Sequence, residues 1–283
     1  MEFSKTKEKV SYYDDGEFIC NYIKYGDILR NGGDYHTHTN YEIIFIKKGD
    51  ITYTVEGKSY HLKKGSLLFI RPGERHRFYF NDTSVYERYD IFFYKETLFS
   101  GLCDKIPMTI NVLNTEGHPF ISEFFEKFDY YCKYFEGEDL RNLLLHLTEE
   151  VLYNIVVLSG VLHGKNMEKL YSANPTVIKA VEYIEKNIDK PFTLENLCKE
   201  LFITKSHLHR LFSEHLEITP KKYINTKRLI LAQKKIRQGK KPASVFTECG
   251  FTEYSTFWRD YRKYFGYSPS EEKEKITVHR IEF

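Results

Sequence analysis

His36, His38 and Glu42 are spaced by two and four residues in His36-Thr37-His38-Thr39-Asn40-Tyr41-Glu42. Side chains alternate along a strand, so one extended segment turns all three to the same face. His76, from a neighbouring segment, completes a set of three imidazoles and one carboxylate. That donor set suits zinc, iron, manganese or nickel. The same four groups equally suit the lining of a small-molecule pocket, or strand ends held by hydrogen bonds. A different chemistry stands at the other end of the chain. Thr193–Leu216 and Pro242–Gly266 share one layout: a short helix, a turn, and a second amphipathic helix. In the second helices the apolar positions are Leu208, Leu211 and Phe212, and Phe257, Tyr261 and Phe265. The opposite faces carry Ser206, His209, Arg210 and Ser213, and Ser255, Arg259 and Arg262. An apolar seam beneath a polar, basic face is what a helix needs to enter the major groove while anchored to its own domain.

The elements that must position these groups differ between the two halves. Glu42–Lys47, Ile51–Val55, Ser59–Leu62 and Leu67–Ile70 are rich in β-branched and aromatic residues and alternate with Gly-containing turns. Arg77–Phe80 and Tyr86–Tyr94 continue the pattern, which predicts a sandwich or barrel over roughly residues 19–95. From Pro119 to about Leu162 the period becomes helical, with Phe120, Phe124, Phe128 and Tyr131 on one expected face. Leu140, Leu144, Leu147, Val151, Asn154 and Leu158 follow heptad spacing. A polar Asn at such a core position points to a two-stranded pairing, and the seam is the expected homodimer contact; a helix lying on the barrel's flank is the other reading. His163–Pro175 has linker composition, and everything beyond it reads as helix.

Charge separates the halves as well. The net charge is +2. From Ser172 onward there are 21 Lys and Arg against 14 Asp and Glu, a local excess of +7, which leaves −5 for the rest. Only the C-terminal half is suited to a polyanion. The five cysteines form no C-x-x-C and fit a reducing compartment. The N-terminal residues lack the apolar core of a secretion signal. The longest apolar stretch, Val151–Leu162, falls short of the roughly 20 residues a bilayer needs, so no membrane span is expected.

Residues from about Val177 to Pro269 resemble the DNA-binding domain of the AraC/XylS family of bacterial transcription regulators. The resemblance rests on Thr193-Leu194-Glu195-Asn196-Leu197, Leu208-His209-Arg210-Leu211-Phe212, Thr219-Pro220-Lys221-Lys222-Tyr223-Ile224, Arg228-Leu229 with Ala232, Gly250-Phe251, and Tyr264-Phe265-Gly266-Tyr267-Ser268-Pro269. It implies seven helices with two reading heads. It also implies base-reading roles for Ser206, His209 and Arg210 on the first reading helix, and for Tyr254, Ser255, Thr256 and Arg259 on the second. Asp260 departs from the pattern and would repel phosphate unless it is paired. Between Tyr35 and Phe80 the chain resembles a cupin: His36, His38, Glu42 and Gly49 form its first half, and Gly65 with Arg71-Pro72-Gly73-Glu74-Arg75-His76 its second.

The expected architecture is an all-β cupin-like barrel with a helical dimerisation segment over 1–165, a linker over 166–175, and an all-α double helix-turn-helix domain over 176–283. The expected function is a cytoplasmic, sequence-specific regulator of transcription, an activator by resemblance. Its partners would be double-stranded DNA, a small-molecule effector such as a sugar, a second copy of itself and, by resemblance, RNA polymerase. His36, His38, Glu42 and His76 are the expected effector-binding residues. No cofactor and no catalytic residue are expected; a divalent metal, if the domain takes one, has those same four ligands. The competing reading is a metal-dependent cupin enzyme with a helical tail.

Overall fold

The computed structural model describes residues 4–28, 32–82, 85–161, 170–274 and 280–282. Backbone contacts divide the chain into two compact units with a boundary near Ser172.

In the first unit the strands are β1 (Ser4–Asp14), β2 (Phe18–Ile28), β3 (His36–His38), β4 (Tyr41–Lys48), β5 (Ile51–Val55), β6 (Lys58–Leu62), β7 (Ser66–Ile70), β8 (His76–Phe80), β9 (Tyr86–Phe93) and β10 (Val112–Asn114). One sheet runs β1-β2-β9-β4-β7-β10, and a second contains β6-β5-β8-β3. The apolar run in β4 is explained by burial on both of its faces. Ile43 and Phe45 join one core, and Ile44 and Ile46 join the other. The second of these cores includes Tyr53, Val55, Phe78 and Phe80 from the other sheet. The first is closed by helices α1 (Pro119–Tyr131) and α2 (Gly137–Val161). The long, polar β1 was not anticipated. Its sequence, SKTKEKVSYYD, is charged because it pairs only with β2 at the edge of the sheet.

Three helical expectations change. Phe120 is 66% exposed, and the buried face of α1 is Ile121, Phe124, Phe125 and Phe128. The heptad seam of α2 is not free for a partner: Leu140, Leu144, Leu147, Val151 and Leu158 are all buried in the first core of their own chain. Asn154 needs no partner Asn, because its amide donates to the Glu150 carbonyl at 2.8 Å. A helix lying on a sheet and a helix lying on another helix require the same 3–4 spacing, so the pattern alone did not separate them. Residues 137–160 of α2, with a mean hydropathy of 1.3 in their most apolar window, are also long and apolar enough to cross a membrane, contrary to the expectation of no such segment. In this fold 56% of that window is buried inside the protein.

The second unit is helical: α3 (Pro175–Asn187), α4 (Leu194–Leu201), α5 (Lys205–Leu216), α6 (Pro220–Arg237), α7 (Pro242–Glu248) and α8 (Tyr254–Phe265). A 3-10 helix, Pro269–Glu274, follows and brings the helical segments here to seven among the described residues. Leu197, Leu208, Leu211, Phe212 and Leu216 centre one core, while Phe251, Phe257, Tyr261 and Phe265 centre another. Helix α6 contributes to both, with Tyr223 and Ile224 in the first and Leu229, Ala232 and Ile236 in the second. Of the expected linker, residues 166–169 lie outside the described residues. Leu170–Ala173 is a short strand, and Asn174 caps α3 by accepting hydrogen bonds from the Thr176 and Val177 amides.

Candidate functional site

The two helix pairs α4–α5 and α7–α8 each present their second helix outward. Helix α5 begins where the Thr204 hydroxyl accepts the His207 amide at 3.2 Å. Leu208, Leu211, Phe212 and Leu216 bury its inner face, which leaves Ser206, His209, Arg210 and Ser213 exposed. Arg210 lies 3.2 Å from Glu214 one turn on, a surface pair that can exchange for another anion. In α8, Phe257, Tyr261 and Phe265 point inward. Tyr254, Ser255 and Arg259 are exposed, and Thr256 is half-buried. The Arg259 side chain is 71% exposed. Asp260 is held away from the role its charge threatened: Asn225 of α6 donates to its carboxylate at 2.7 Å, and Arg259 lies 3.7 Å away. The Arg262 guanidinium lies over the Trp258 ring, 5.4 Å from its centroid.

Arg228 of α6 reaches both pairs. It donates to the Lys190 carbonyl at 3.0 Å, just before the first pair, and lies over the Phe192 ring. Its Nε lies 2.7 Å from where a Cβ would sit at Gly250, in the turn of the second pair. Gly250 has φ +76, a backbone conformation that favours glycine, and a Cβ there would displace the Arg228 guanidinium.

In the first unit, His36, His38, Glu42 and His76 are all buried. β3 pairs with β8 so that His36 stands opposite His76. Tyr41, one residue before Glu42, turns to the other face and stacks on Phe69 and Phe93. Each imidazole is oriented through Nδ1 by a backbone carbonyl: His36 by Asp34 at 3.1 Å, His38 by Asn40 at 2.8 Å and His76 by Glu74 at 2.9 Å. A carbonyl only accepts, so each Nδ1 carries a proton, and in the neutral ring each Nε2 is a lone pair. The His38 and His76 Nε2 atoms lie 2.9 Å and 3.4 Å from one oxygen of Glu42. Burial works against the Glu42 anion, but its contacts with His38 and His76 hold it well below the usual carboxylate range. Burial lowers His76 below the usual imidazole range. The His76 Nε2 is buried with no hydrogen-bond partner among the described residues. Lone pairs that converge on a carboxylate need a shared cation, either a proton on one ring or a metal ion.

The ligand atoms of His38, Glu42 and His76 all lie within 4.8 Å of one another, so these three could hold a metal ion. The fourth expected member, His36, is not in that group. Its ring stands edge-on to His76 with centroids 4.2 Å apart. The backbone carbonyls on Nδ1 are the outer contacts that orient metal-binding imidazoles elsewhere.

Sequence reasoning missed the polar groups that extend this interior. Arg88 and Asp90 of β9 form a buried ion pair at 2.9 Å, and Arg88 also donates to the Tyr53 hydroxyl at 2.6 Å. Asn40 is fully buried, with neither amide atom bonded among the described residues. Arg88 and Asp90, at alternate positions of β9 and so on one face, were the available signal.

Comparison with known proteins agrees with this division. The family described as "Helix-turn-helix domain" matches residues 197–275, and that described as "Cupin domain" matches residues 30–91. The chain is similar to the lactose operon transcription activator of Staphylococcus xylosus, at 22% identity over 82% of this chain and 83% of that one. It is similar to the transcriptional activator RhaS of Escherichia fergusonii, at 22% identity over 83% and 86%. A probable transcriptional regulator of Photobacterium leiognathi, LumQ, is 35% identical over 31% of this chain and 36% of its own length. Among solved structures, ToxT of Vibrio cholerae aligns over 92% of this chain and 99% of its own at 13% identity, with a TM-score of 0.38.

Proposed function

This chain belongs to the AraC/XylS family of transcription regulators, with a cupin-type N-terminal domain and a helix-turn-helix C-terminal domain, and from that premise we propose that it binds specific double-stranded DNA sequences through α5 and α8. The observation that supports this reading is the pair of outward, basic helices on opposite ends of α6. An 18-residue helix is about 27 Å long, comparable with the roughly 34 Å between successive turns of the major groove. Arg210 and Arg259 are the bases' principal readers, with Ser206, His209, Tyr254, Ser255 and Thr256 beside them. Selection from a random-sequence DNA pool tests this. Arg210→Ala or Arg259→Ala should each cost about 1–3 kcal/mol at the selected site. Equal weakening on every sequence would make that arginine a phosphate contact instead.

The cupin-type domain is the sensor in this proposal, with His36, His38, Glu42 and His76 contacting a small molecule. The name of the Staphylococcus xylosus relative supports a carbohydrate effector and an activating role, as does the RhaS name for activation. Action in the cytoplasm, as a homodimer in contact with RNA polymerase, completes the reading. The dimer contact moves to the exposed face of α2, where Tyr153 and Val157 are 55% and 58% exposed. Sedimentation of the full chain against Val157→Glu tests that placement; a wild-type monomer sinks it.

One observation favours a metal as a second occupant of the sensor: the paired Nε2 atoms of His38 and His76 on Glu42. A divalent ion there would anchor the effector or the two strands. Elemental analysis of protein purified without a His tag, compared with Glu42→Gln, decides between ion and proton.

A further inference from the structure

We propose that Asp260, tethered by Asn225 of α6, is a positioning residue that orients the Arg259 guanidinium toward guanine and makes base reading by α8 more stringent than reading by α5. This rests on the reading of α5 and α8 as the helices that enter the groove.

The phase of α8 sets the arrangement. Phe257, Tyr261 and Phe265 are buried and lock the helix against its own core. Successive residues turn by about 100° around a helix axis, so fixing those three leaves Arg259 outward and brings Asp260 toward α6. Asn225 is half-buried on α6, between Tyr223 and Ile224 in one core and Leu229 in the other. Its amide donates to one oxygen of Asp260 at 2.7 Å. The other Asp260 oxygen lies 3.7 Å from Arg259 Nε, and among the described residues Arg259 is its one ion-pair partner. The Asp260 side chain is 27% exposed, against 71% for Arg259. The carboxylate is thus a charge fixed to the scaffold beside a long side chain that stands in solvent.

The side from which that charge acts decides its effect. A guanidinium has five N–H groups, one at Nε and two at each terminal nitrogen. Guanine O6 and N7 are read by two of them at once. Asp260 lies at the Nε side, so both terminal nitrogens remain for the base. Arg259 then gives up rotamer freedom before it meets DNA rather than on binding. Arg210 is the contrast. Its Nη1 lies 3.2 Å and 3.4 Å from the two oxygens of Glu214, so a terminal nitrogen is itself engaged. Glu214 is exposed on the same helix, and Arg210 must leave it to fork onto a base. Asp260 also repels phosphate, so it weakens binding to every sequence while it sharpens the choice of one. Those two effects have opposite signs, which separates positioning from structural support of the helix.

The test is competition binding by the full chain on the site selected from a random DNA pool. Arg259→Ala and Arg210→Ala first identify the base pair that each arginine distinguishes, and the other bases are then placed there. Wild-type discrimination should be greater at the Arg259 position; the reverse order overturns the contrast. Asp260→Asn keeps an acceptor for Asn225 and should fold. It should lower discrimination at the Arg259 position by about tenfold, while unrelated DNA binds as tightly as to the wild type or more tightly. Asn225→Ala keeps the charge but releases it, and should lower the same discrimination by about threefold or more. In an Arg259→Ala background neither change should alter base preference. The proposal is overturned if both variants discriminate as the wild type does, or if selected and unrelated DNA weaken together, as a disrupted helix would cause. A protein that selects no sequence, or whose preference ignores Arg259, refutes the reading helices and this proposal with them. A preference that depends on Arg259 but ignores Asp260 and Asn225 refutes the positioning alone.

Discussion

The two helix-turn-helix units reach the same arrangement by different local means. In the first, both helices have side-chain N-caps. Thr193 and Asn196 form a reciprocal capping box on α4, and Thr204 caps α5. Those helices end at non-glycine residues in the left-handed region, Phe202 at φ 54 and Glu217 at φ 50. In the second, Lys241 and Glu253 occupy the N-cap positions and neither makes a side-chain capping bond. There the chain reverses at glycines, Gly250 at φ 76 and Gly266 at φ 84. Its core is aromatic, and it is closed by Glu272, a fully buried carboxylate. Glu272 accepts from Arg237 at 2.6 Å, from Gln233 at 3.3 Å and from the Tyr261 hydroxyl. Burial, together with Glu272, keeps the Tyr261 phenol protonated far above its ordinary range. The first unit is therefore defined mostly by neighbours in sequence, and the second by contacts that arrive from outside its two helices.

Four substitutions test that contrast. Glu272→Ala removes the buried carboxylate that pairs with Arg237 and accepts from Gln233 and Tyr261, and should cost about 3–5 kcal/mol. Hydrogen exchange should show α7 and α8 losing protection while α3–α5 keep theirs; equal loss in both would mean the two units are not separable. Gly250→Ala places a methyl against Arg228 at a positive φ, and about 2–3 kcal/mol should be lost in urea unfolding. A loss below about 0.5 kcal/mol would show that Arg228 moves aside freely. Thr204→Ala removes a cap that α8 has never had, and should cost about 1 kcal/mol, read as a lower melting temperature. Phe202 is 95% exposed, so Phe202→Gly loses no packing and relieves the left-handed conformation. It should stabilise the first unit by about 0.5 kcal/mol, whereas destabilisation would reveal a contact that the exposed ring makes.

Much of the helical half was readable because its signals are local. The layouts read at Thr193–Leu216 and Pro242–Gly266 contain α4 with α5 and α7 with α8, since the Thr193 cap opens the first and Gly266 closes the second. The strands from Ile51 to Phe80 were similarly readable from turns and alternation. Local signals failed where two tertiary arrangements share one pattern. The α2 seam fits a partner helix as well as it fits the molecule's own sheet. His36 shares its face with His38, yet the ligand atoms that converge are those of His38, Glu42 and His76. The pairing of β3 with β8 brings His76 into the cluster, and strand spacing carries no information about pairing.

By itself, then, the sequence determined the succession of strands and helices, the helix boundaries in the second half, and which face of α5 and α8 is polar. Each of these follows from the period of apolar residues and from the turn chemistry of a few positions. Tertiary structure alone decided that the α2 seam is interior, that the Asp260 carboxylate accepts a hydrogen bond from Asn225, that Arg228 reaches both helix pairs, and that Glu272 closes the last core. In every one of these cases the deciding partner is distant in sequence or on another element. A residue's own neighbours specify its backbone and its face, while what that face meets is set only when the chain has packed.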